Sequence, residues 1–409
     1  VSTAWWTGGA VLRRFVVDLL ADEMARHRRG AVPHATLWRD DLRLDEDLGA
    51  DSLELMALAT ALAEALHLHA SGIEDYLLVR RTLGDWVKIA GTGLQRHDAL
   101  LTFRTSGSTG VPVPCQHALS TLQQEAQHLA TLVPGRRRVL CAVPAHHIYG
   151  FLFSVLLPQA VGLPSGAVLD IRASTPAWLA HGARPGDLVI GFPDFWQAVA
   201  RTVPALPPDV IGVTSCAPCP SGVSQAVEAA GATLLHVYGA SETGGVGARA
   251  GGDQPYRLFP YFSLRGDSEL VRRLPDGGER VFRLQDRLEL VGETQFHVGA
   301  RRDHAVQVGG INVFPARVRD VLKRHPGVQD AAVRLMRPEE GGRLKAFIVP
   351  RPDWQQGDDA MSSLRVWIDR ELAAPERPRA IRIGFELPRT AAGKQADWDL
   401  HDDPGSSGG

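Results

Sequence analysis

Just after the apolar residues Leu100 to Phe103 comes a compact run, Thr105-Ser106-Gly107-Ser108-Thr109-Gly110, followed by Val111-Pro112. Glycines let a backbone curl around phosphate oxygens, and the amides and hydroxyls of such a run can donate hydrogen bonds to them. The run is not a Walker loop, because the glycine spacing differs and no Gly-Lys-Ser/Thr follows. Taken alone, it also suits a flexible Ser/Gly linker. Further on, Tyr238-Gly239-Ala240-Ser241-Glu242-Thr243-Gly244 follows a strand-like stretch. A tyrosine at a strand end can stack on adenine, Ser241 can bond an α-phosphate or carboxylate oxygen, and Glu242 is a hard oxygen ligand suited to Mg2+. Cys216-Ala217-Pro218-Cys219 has redox-like spacing, but its Pro-rich setting reads as a turn with loop cysteines. Near the start, Asp51 can cap a helix whose apolar stripe runs through Leu55, Met56, Ala59, Leu62 and Leu66. Glu54 stands where a capping box wants its carboxylate, and Ser52 falls at the exposed helix start.

These groups need elements to hold them. Val11 to Met24 repeats apolar residues at helical spacing, and a shorter helix is expected near Leu83 to Ile89. From about residue 100 the pattern changes. Val139 to Val143, Leu188 to Ile190, Val210 to Val213 and Leu234 to Val237 read as strands, alternating with helices at Tyr149 to Gln159, Phe195 to Val203 and Ser221 to Ala229. Such alternation implies a largely parallel sheet flanked by helices, with ligand loops at strand ends. Val281 to Leu290 also reads as a strand. Beyond it, a helix over Pro315 to Leu322, strands at Asp330 to Met336 and Lys345 to Val349, and a helix over Leu364 to Leu372 predict a small α/β domain.

The chain has 409 residues, 44% of them hydrophobic, enough for two or three domains. Lys and Arg total 44 against 46 Asp and Glu, so a formal charge of -2 gives no global reason to expect a nucleic-acid partner. Four cysteines are too few for a disulfide framework, which points to a cytoplasmic location. No apolar stretch reaches the length of roughly 20 residues that a bilayer crossing requires.

Two resemblances follow from these motifs. The stretch Leu44-Asp45-Glu46-Asp47-Leu48-Gly49-Ala50-Asp51-Ser52-Leu53, with its flanking helices, resembles an acyl carrier protein. That likeness implies 4'-phosphopantetheine on Ser52, added by a pantetheinyl transferase. The region from Leu100 to Asp397 resembles the adenylate-forming superfamily of acyl- and aryl-CoA ligases, peptide-synthetase adenylation domains and luciferases. It implies ATP and Mg2+, with residues 105 to 110 on the phosphates, Tyr238 on adenine, Ser241 on the α-phosphate or carboxylate, and Glu242 on the metal. Pro144-Ala145-His146-His147-Ile148-Tyr149-Gly150 resembles the fourth core motif and puts His147 beside the acyl pocket. Asp286 aligns with the ribose-binding aspartate. Val298 to Gly310 resembles the eighth motif, with Arg301 contacting ribose or phosphate and Asp303 as the hinge. Leu387 to Lys394 resembles the tenth motif and places Lys394 in the adenylation site. Departures from the family are Val113 where a lysine is usual, Ala300 for the glycine before the arginine, and Ser241 for threonine.

The implied fold class is α/β: a truncated adenylate-forming large domain over 98–302 and a small mobile α/β C-terminal domain over 303–400. An all-α carrier-like bundle over 1–92 would precede them, taking the place of residues that relatives carry before the phosphate loop. The implied reaction activates a small aromatic or acyl carboxylic acid as acyl-AMP. Thioester transfer to a carrier protein, its own or a separate one, is favoured over transfer to CoA, as in aryl-polyene, pigment or polyketide priming. An aryl- or acyl-CoA ligase is the near alternative, and a non-catalytic carrier-binding scaffold is the other.

Overall fold

The computed structural model describes residues 4–28, 32–104, 113–266, 268–309, 311–337, 340–352, 354, 358–389 and 396–399. They fall into two compact units that divide between Gly299 and Ala300.

The first unit begins with α1 (Gly9–His27), α2 (Ser52–Leu66), α3 (Asp75–Val79) and α4 (Leu83–Arg96), then the hairpin of β1 (Leu100–Arg104) and β2 (Pro114–Ala118). The Asp51 side chain caps α2 by accepting from the Glu54 amide at 2.8 Å. Glu54 does not reach back to complete a capping box; its two oxygens take the Arg28 guanidinium at 2.6 Å each.

After β2 the chain alternates as its apolar runs predict. It passes through α5 (Leu119–Leu132), β3 (Arg138–Cys141), a helical segment opened by α6 (Ile148–Phe151) and closed by α7 (Leu157–Ala160), and β4 (Val168–Asp170). Next come α8 (Leu179–Gly182), β5 (Asp187–Gly191), α9 (Pro193–Thr202), β6 (Val210–Thr214), α10 (Ser221–Ala229) and β7 (Ala232–Ala240). Strands β4, β3, β5, β6 and β7 are adjacent and parallel. Strand β5 is buried along its whole length, the mark of a parallel strand covered on both faces. Beyond β7 the sheet turns antiparallel through β8 (Gly244–Ala250) and β9 (Tyr256–Leu258). A second, three-stranded sheet holds β10 (Phe262–Arg265), β11 (Glu269–Arg273) and β12 (Glu279–Arg283). Strands β13 (Asp286–Leu290) and β14 (Gln295–Arg301) complete the edge of the large sheet beside β9. The stretch Val281 to Leu290, expected as one strand, is thus two strands in different sheets, and Asp286 opens the second.

The expected carrier bundle is corrected here. The helices exist, but they have no core of their own. Buried Trp5, Leu12, Phe15, Leu20, Leu58 and Leu62 belong to one continuous cluster with Leu101 and Phe103 of β1 and Phe151 and Phe153 beyond β3. Trp5 and Phe15 meet Phe151 with ring centroids 5.0 and 5.8 Å apart. Charges bind the same way: Arg104 of β1 donates to Glu23 of α1 at 3.1 Å and to Glu64 of α2 at 2.7 Å. Buried Asp18 of α1 accepts from Arg172 at 2.6 Å and from the Ala145 amide at 2.7 Å. A buried carboxylate is tolerated only when so paired, which makes α1 part of the large unit's wall. Ser52 is an exposed first-turn residue of one of these helices, which belong to the large unit and form no separate carrier domain.

The second unit contains the ribbon β15 (Val306–Val308) and β16 (Ile311–Val313), then α11 (Pro315–Lys323), β17 (Val328–Leu335), β18 (Leu344–Pro350), α12 (Asp358–Glu371) and β19 (Ala380–Ile383). Strand β18 is central, antiparallel to β17 and parallel to β19. Val318, Leu322, Ile348, Leu364 and Ile368 pack the two helices onto this sheet. Among the described residues, no helix is long and apolar enough to cross a membrane.

Candidate active site

Tyr238 lies two residues before the end of β7, and the turn Ser241 to Thr243 leads into β8. Its hydroxyl donates to Asp286 Oδ2 at 2.9 Å, joining two residues 48 positions apart. Phe296 and Tyr256 flank its ring at centroid distances of 5.6 and 5.9 Å. An aromatic face beside a carboxylate can seat a base and a ribose together.

The turn is held from below by three buried groups that sequence patterns did not single out. His117 of β2 meets the Ser241 carbonyl at 2.6 Å. Burial pushes His117 down to about 4, so near neutrality the ring is uncharged; since a carbonyl only accepts, Nε2 carries the proton. Arg272 of β11 donates to the Thr243 carbonyl at 3.0 Å and lies over Tyr261 at 4.7 Å. Glu125 of α5 accepts from the Gly245 amide at 2.7 Å, and burial outweighs Arg272 and this amide to push its carboxyl up to about 7. Gly244 has φ +71°, and a Cβ there would meet Glu125 Oε2 at 2.4 Å. Only glycine suits that position.

Above this scaffold Glu242 is exposed while Thr243 and Gly244 are buried. It is close enough to β2 that its charge, together with burial, pushes the Cys115 thiol up to about 11, burial contributing more. An exposed carboxylate oxygen next to a serine hydroxyl fits a Mg2+ ion accompanying phosphates. Strand β2 therefore ties two candidate regions together. It holds the Ser241 turn through His117, and its pairing of Pro114 with Arg104 fixes the roots of the glycine-rich segment. Thr105 to Gly110 and Lys394 themselves lie outside the described residues.

His147 precedes α6, where the Tyr149 hydroxyl shares its one proton between the carbonyls of Gly191 and Val213, at 3.1 and 3.0 Å, and so locks the motif onto the ends of β5 and β6. A Cβ on Gly150 would fall 1.9 Å from the Pro144 carbonyl oxygen, which explains the glycine that follows Tyr149. Burial, with His146 next in weight, pushes His147 down to about 3, leaving a neutral ring. Cys216 and Cys219 are both free thiols.

In the second unit Arg301 and Asp303 form a two-point pair at 2.9 and 2.6 Å, and Asp303 also accepts from the Ala305 amide at 3.1 Å. The Arg301 bond holds the Asp303 carboxyl below its ordinary range. Near the chain's end, buried Lys345 of β18 grips the residues that follow Lys394: Nζ donates to the Trp398 carbonyl at 2.7 Å and pairs with Asp397 at 3.1 Å and Glu340 at 2.9 Å. The Ala396 amide bonds the Pro388 carbonyl at 2.8 Å, bracketing the tenth-motif segment.

With this geometry in view, comparison with known proteins places the chain in a class. The AMP-binding enzyme family matches residues 41–260, and the AMP-binding enzyme C-terminal domain matches residues 318–394. The chain belongs to this family: it is an ATP- and Mg2+-dependent, adenylate-forming ligase that activates a carboxylic acid. It is 43% identical over 373 residues to a 4-coumarate–CoA ligase of Cereibacter sphaeroides, covering 88% of this chain and 86% of that one. It is 39% identical over 403 residues to a 4-coumarate–CoA ligase of Rhodobacter capsulatus, covering 95% of this chain and 100% of that one. Among solved structures, an o-succinylbenzoate CoA synthetase of Bacillus subtilis is 17% identical with a TM-score of 0.57, covering 93% of this chain and 91% of that one, a likeness of fold.

Two expectations are overturned by these matches. The Rhodobacter relative is spanned in full, and the AMP-binding match begins at residue 41, inside the supposed carrier region, so neither a shortened front nor a fused carrier domain describes the chain. The named relatives are CoA ligases, so the preference for a carrier-protein acceptor is reversed.

Proposed function

We propose that this ligase joins a 4-coumarate-like aromatic acid to CoA through an acyl-AMP. The geometry supporting adenylation is the Tyr238–Asp286 pair beside the braced Ser241–Glu242 turn. The relatives that bear on acid and acceptor are 4-coumarate–CoA ligases, matched over most of both chains.

In this reading, Tyr238 stacks on adenine and Asp286 accepts the ribose hydroxyls. Ser241 holds an α-phosphate or carboxylate oxygen so that the acid attacks phosphorus in line, and pyrophosphate leaves. Residues 105 to 110 bind the departing phosphates. Glu242 would hold Mg2+, which when bound supplies charge neutralisation to the phosphates. Lys394, carried on the segment that Lys345 anchors, offsets negative charge as it develops. His147, uncharged, borders the acyl pocket without repelling an aromatic ring. Arg301 contacts ribose or phosphate, and Asp303 is the hinge about which the small unit turns so that the CoA thiolate can displace AMP. Positioning and electrostatics suffice, since ATP itself activates the acid.

The test is pyrophosphate exchange with ATP across a panel of hydroxycinnamic, benzoic and fatty acids, followed by mass analysis of products made with CoA. Exchange strongest with 4-coumarate and a coumaroyl-CoA product are expected. Exchange confined to fatty acids, or adenylate with no CoA thioester, would overturn the proposal.

A further inference from the structure

Helix α1 brings Asp22 onto the same face as Asp18, one turn earlier. Asp18 accepts the Ala145 amide at 2.7 Å, which clamps the loop after β3 against α1 and sets His146 and His147 beside Asp22. One ligand atom from each of Asp22, His146 and His147 lies within 4.8 Å of the other two. The two imidazole centroids are 4.1 Å apart.

We propose that Asp22, His146 and His147 form a binding site for one Zn2+ ion, separate from the magnesium–nucleotide site. The independent observation is His146. Its side chain is only 6% exposed, Nδ1 has no hydrogen-bond partner, and Nε2 has only a long contact to Asp22. The nearest carboxylate oxygen, Asp22 Oδ2, stands 3.4 Å from Nε2, longer than an ordinary N–H···O bond. A buried imidazole so poorly satisfied is costly. A metal bond to one nitrogen removes that nitrogen's share of the cost. Two imidazoles and one carboxylate are a donor set suited to Zn2+, with a fourth position left for water. Mg2+ prefers oxygen ligands and competes poorly for it.

The surroundings supply the rest of a site. Arg26 pairs with Asp22 Oδ2 at 2.7 Å, which orients the carboxylate from outside and leaves Oδ1 for an ion. A cavity reaches His146 and is lined by Asp22, Glu23, Glu64, Arg26 and Arg104. Glu23 and Glu64 are paired there with Arg104, and Asp22 with Arg26, so the lining keeps one net negative charge. This inference is independent of which acid and acceptor the ligase uses. Where His147 borders the acyl pocket, the ion would also fix that ring.

The experiment is calorimetric titration of chelator-treated full-length protein with zinc chloride in excess Mg2+, with zinc-edge X-ray absorption on the loaded protein. One Zn2+ per chain, a nitrogen and oxygen shell with imidazole scattering, and at least about 100-fold weaker binding in His146→Ala and in Asp22→Asn are expected. Circular dichroism shows whether each variant is folded; if both unfold, the absorption spectrum of the natural protein still decides. No stoichiometric uptake, a sulfur shell, or unchanged affinity in folded His146→Ala would overturn the site.

Discussion

The Tyr238 hydroxyl is the smallest feature from which a consequence for catalysis can be read. Its bond to a carboxylate is charge-assisted, and such bonds contribute on the order of 2 kcal/mol. Tyr238→Phe should therefore lower kcat/KM for ATP by about 30-fold while leaving the KM of the acid near its starting value, as steady-state kinetics with each substrate varied would show. An equal loss for both substrates would remove the residue from the nucleotide side. His117 makes a separate prediction about acid. Its folded-state value lies near 4 against an ordinary 6.5, so the folded protein holds the neutral ring. The stability this provides is complete above pH 6.5 and is lost as pH falls through 4, on the order of 3 kcal/mol. Urea unfolding at pH 7 and pH 4 should show the drop in the natural protein and a shallower one in His117→Gln; parallel acid slopes would refute it.

At the scale of elements, the turn between β7 and β8 titrates in the opposite sense. Glu125 is raised from 4.5 to about 7, so its contribution is complete below pH 4.5 and disappears as pH rises through 7. Glu125→Gln should abolish that alkaline loss, readable as equal unfolding free energies at pH 5 and pH 8 once other groups are matched. Lys345 gives the corresponding test for the second unit. Removing one partner of a buried ion pair costs about 3 kcal/mol or more, so Lys345→Met should lower the thermal stability of that unit. Acyl-AMP formation should fall with it while ATP binding to the large unit persists. The parallel strands were legible because strands buried on both faces are continuous apolar runs, as in Leu188 to Ile190. The supports of the active turn were not. Glu125 and Gly245 are 120 positions apart and Arg272 and Thr121 are 151 apart, and no local pattern reports a buried charge whose partner is that remote. Tyr238 was singled out by its place at a strand end and Asp286 by a family resemblance, but the bond between them, 48 positions apart, had no signal in the sequence.

For the whole molecule, the lesson lies in the first four helices. An apolar stripe and a capped start say that a helix has a face to bury, and they do not say against what. Asp51, Ser52 and the stripe through Leu62 would serve a free-standing bundle equally well, and the deciding contacts, Phe15 with Phe151 and Asp18 with Arg172, cross the boundary that a bundle would need. A fragment of residues 1–97 should accordingly show no cooperative thermal transition by circular dichroism, and the full chain should keep its intact mass after incubation with CoA and a pantetheinyl transferase. A sharply melting fragment would restore an independent domain.

That shared wall also sets a timetable for synthesis. Arg172, which neutralises Asp18, is 154 positions downstream, so at about 5–20 residues per second it leaves the ribosome roughly 8–30 s after the helix it completes. Through that interval α1 waits with a greasy flank and an unpaired acid, a natural client for a chaperone that shields nascent chains.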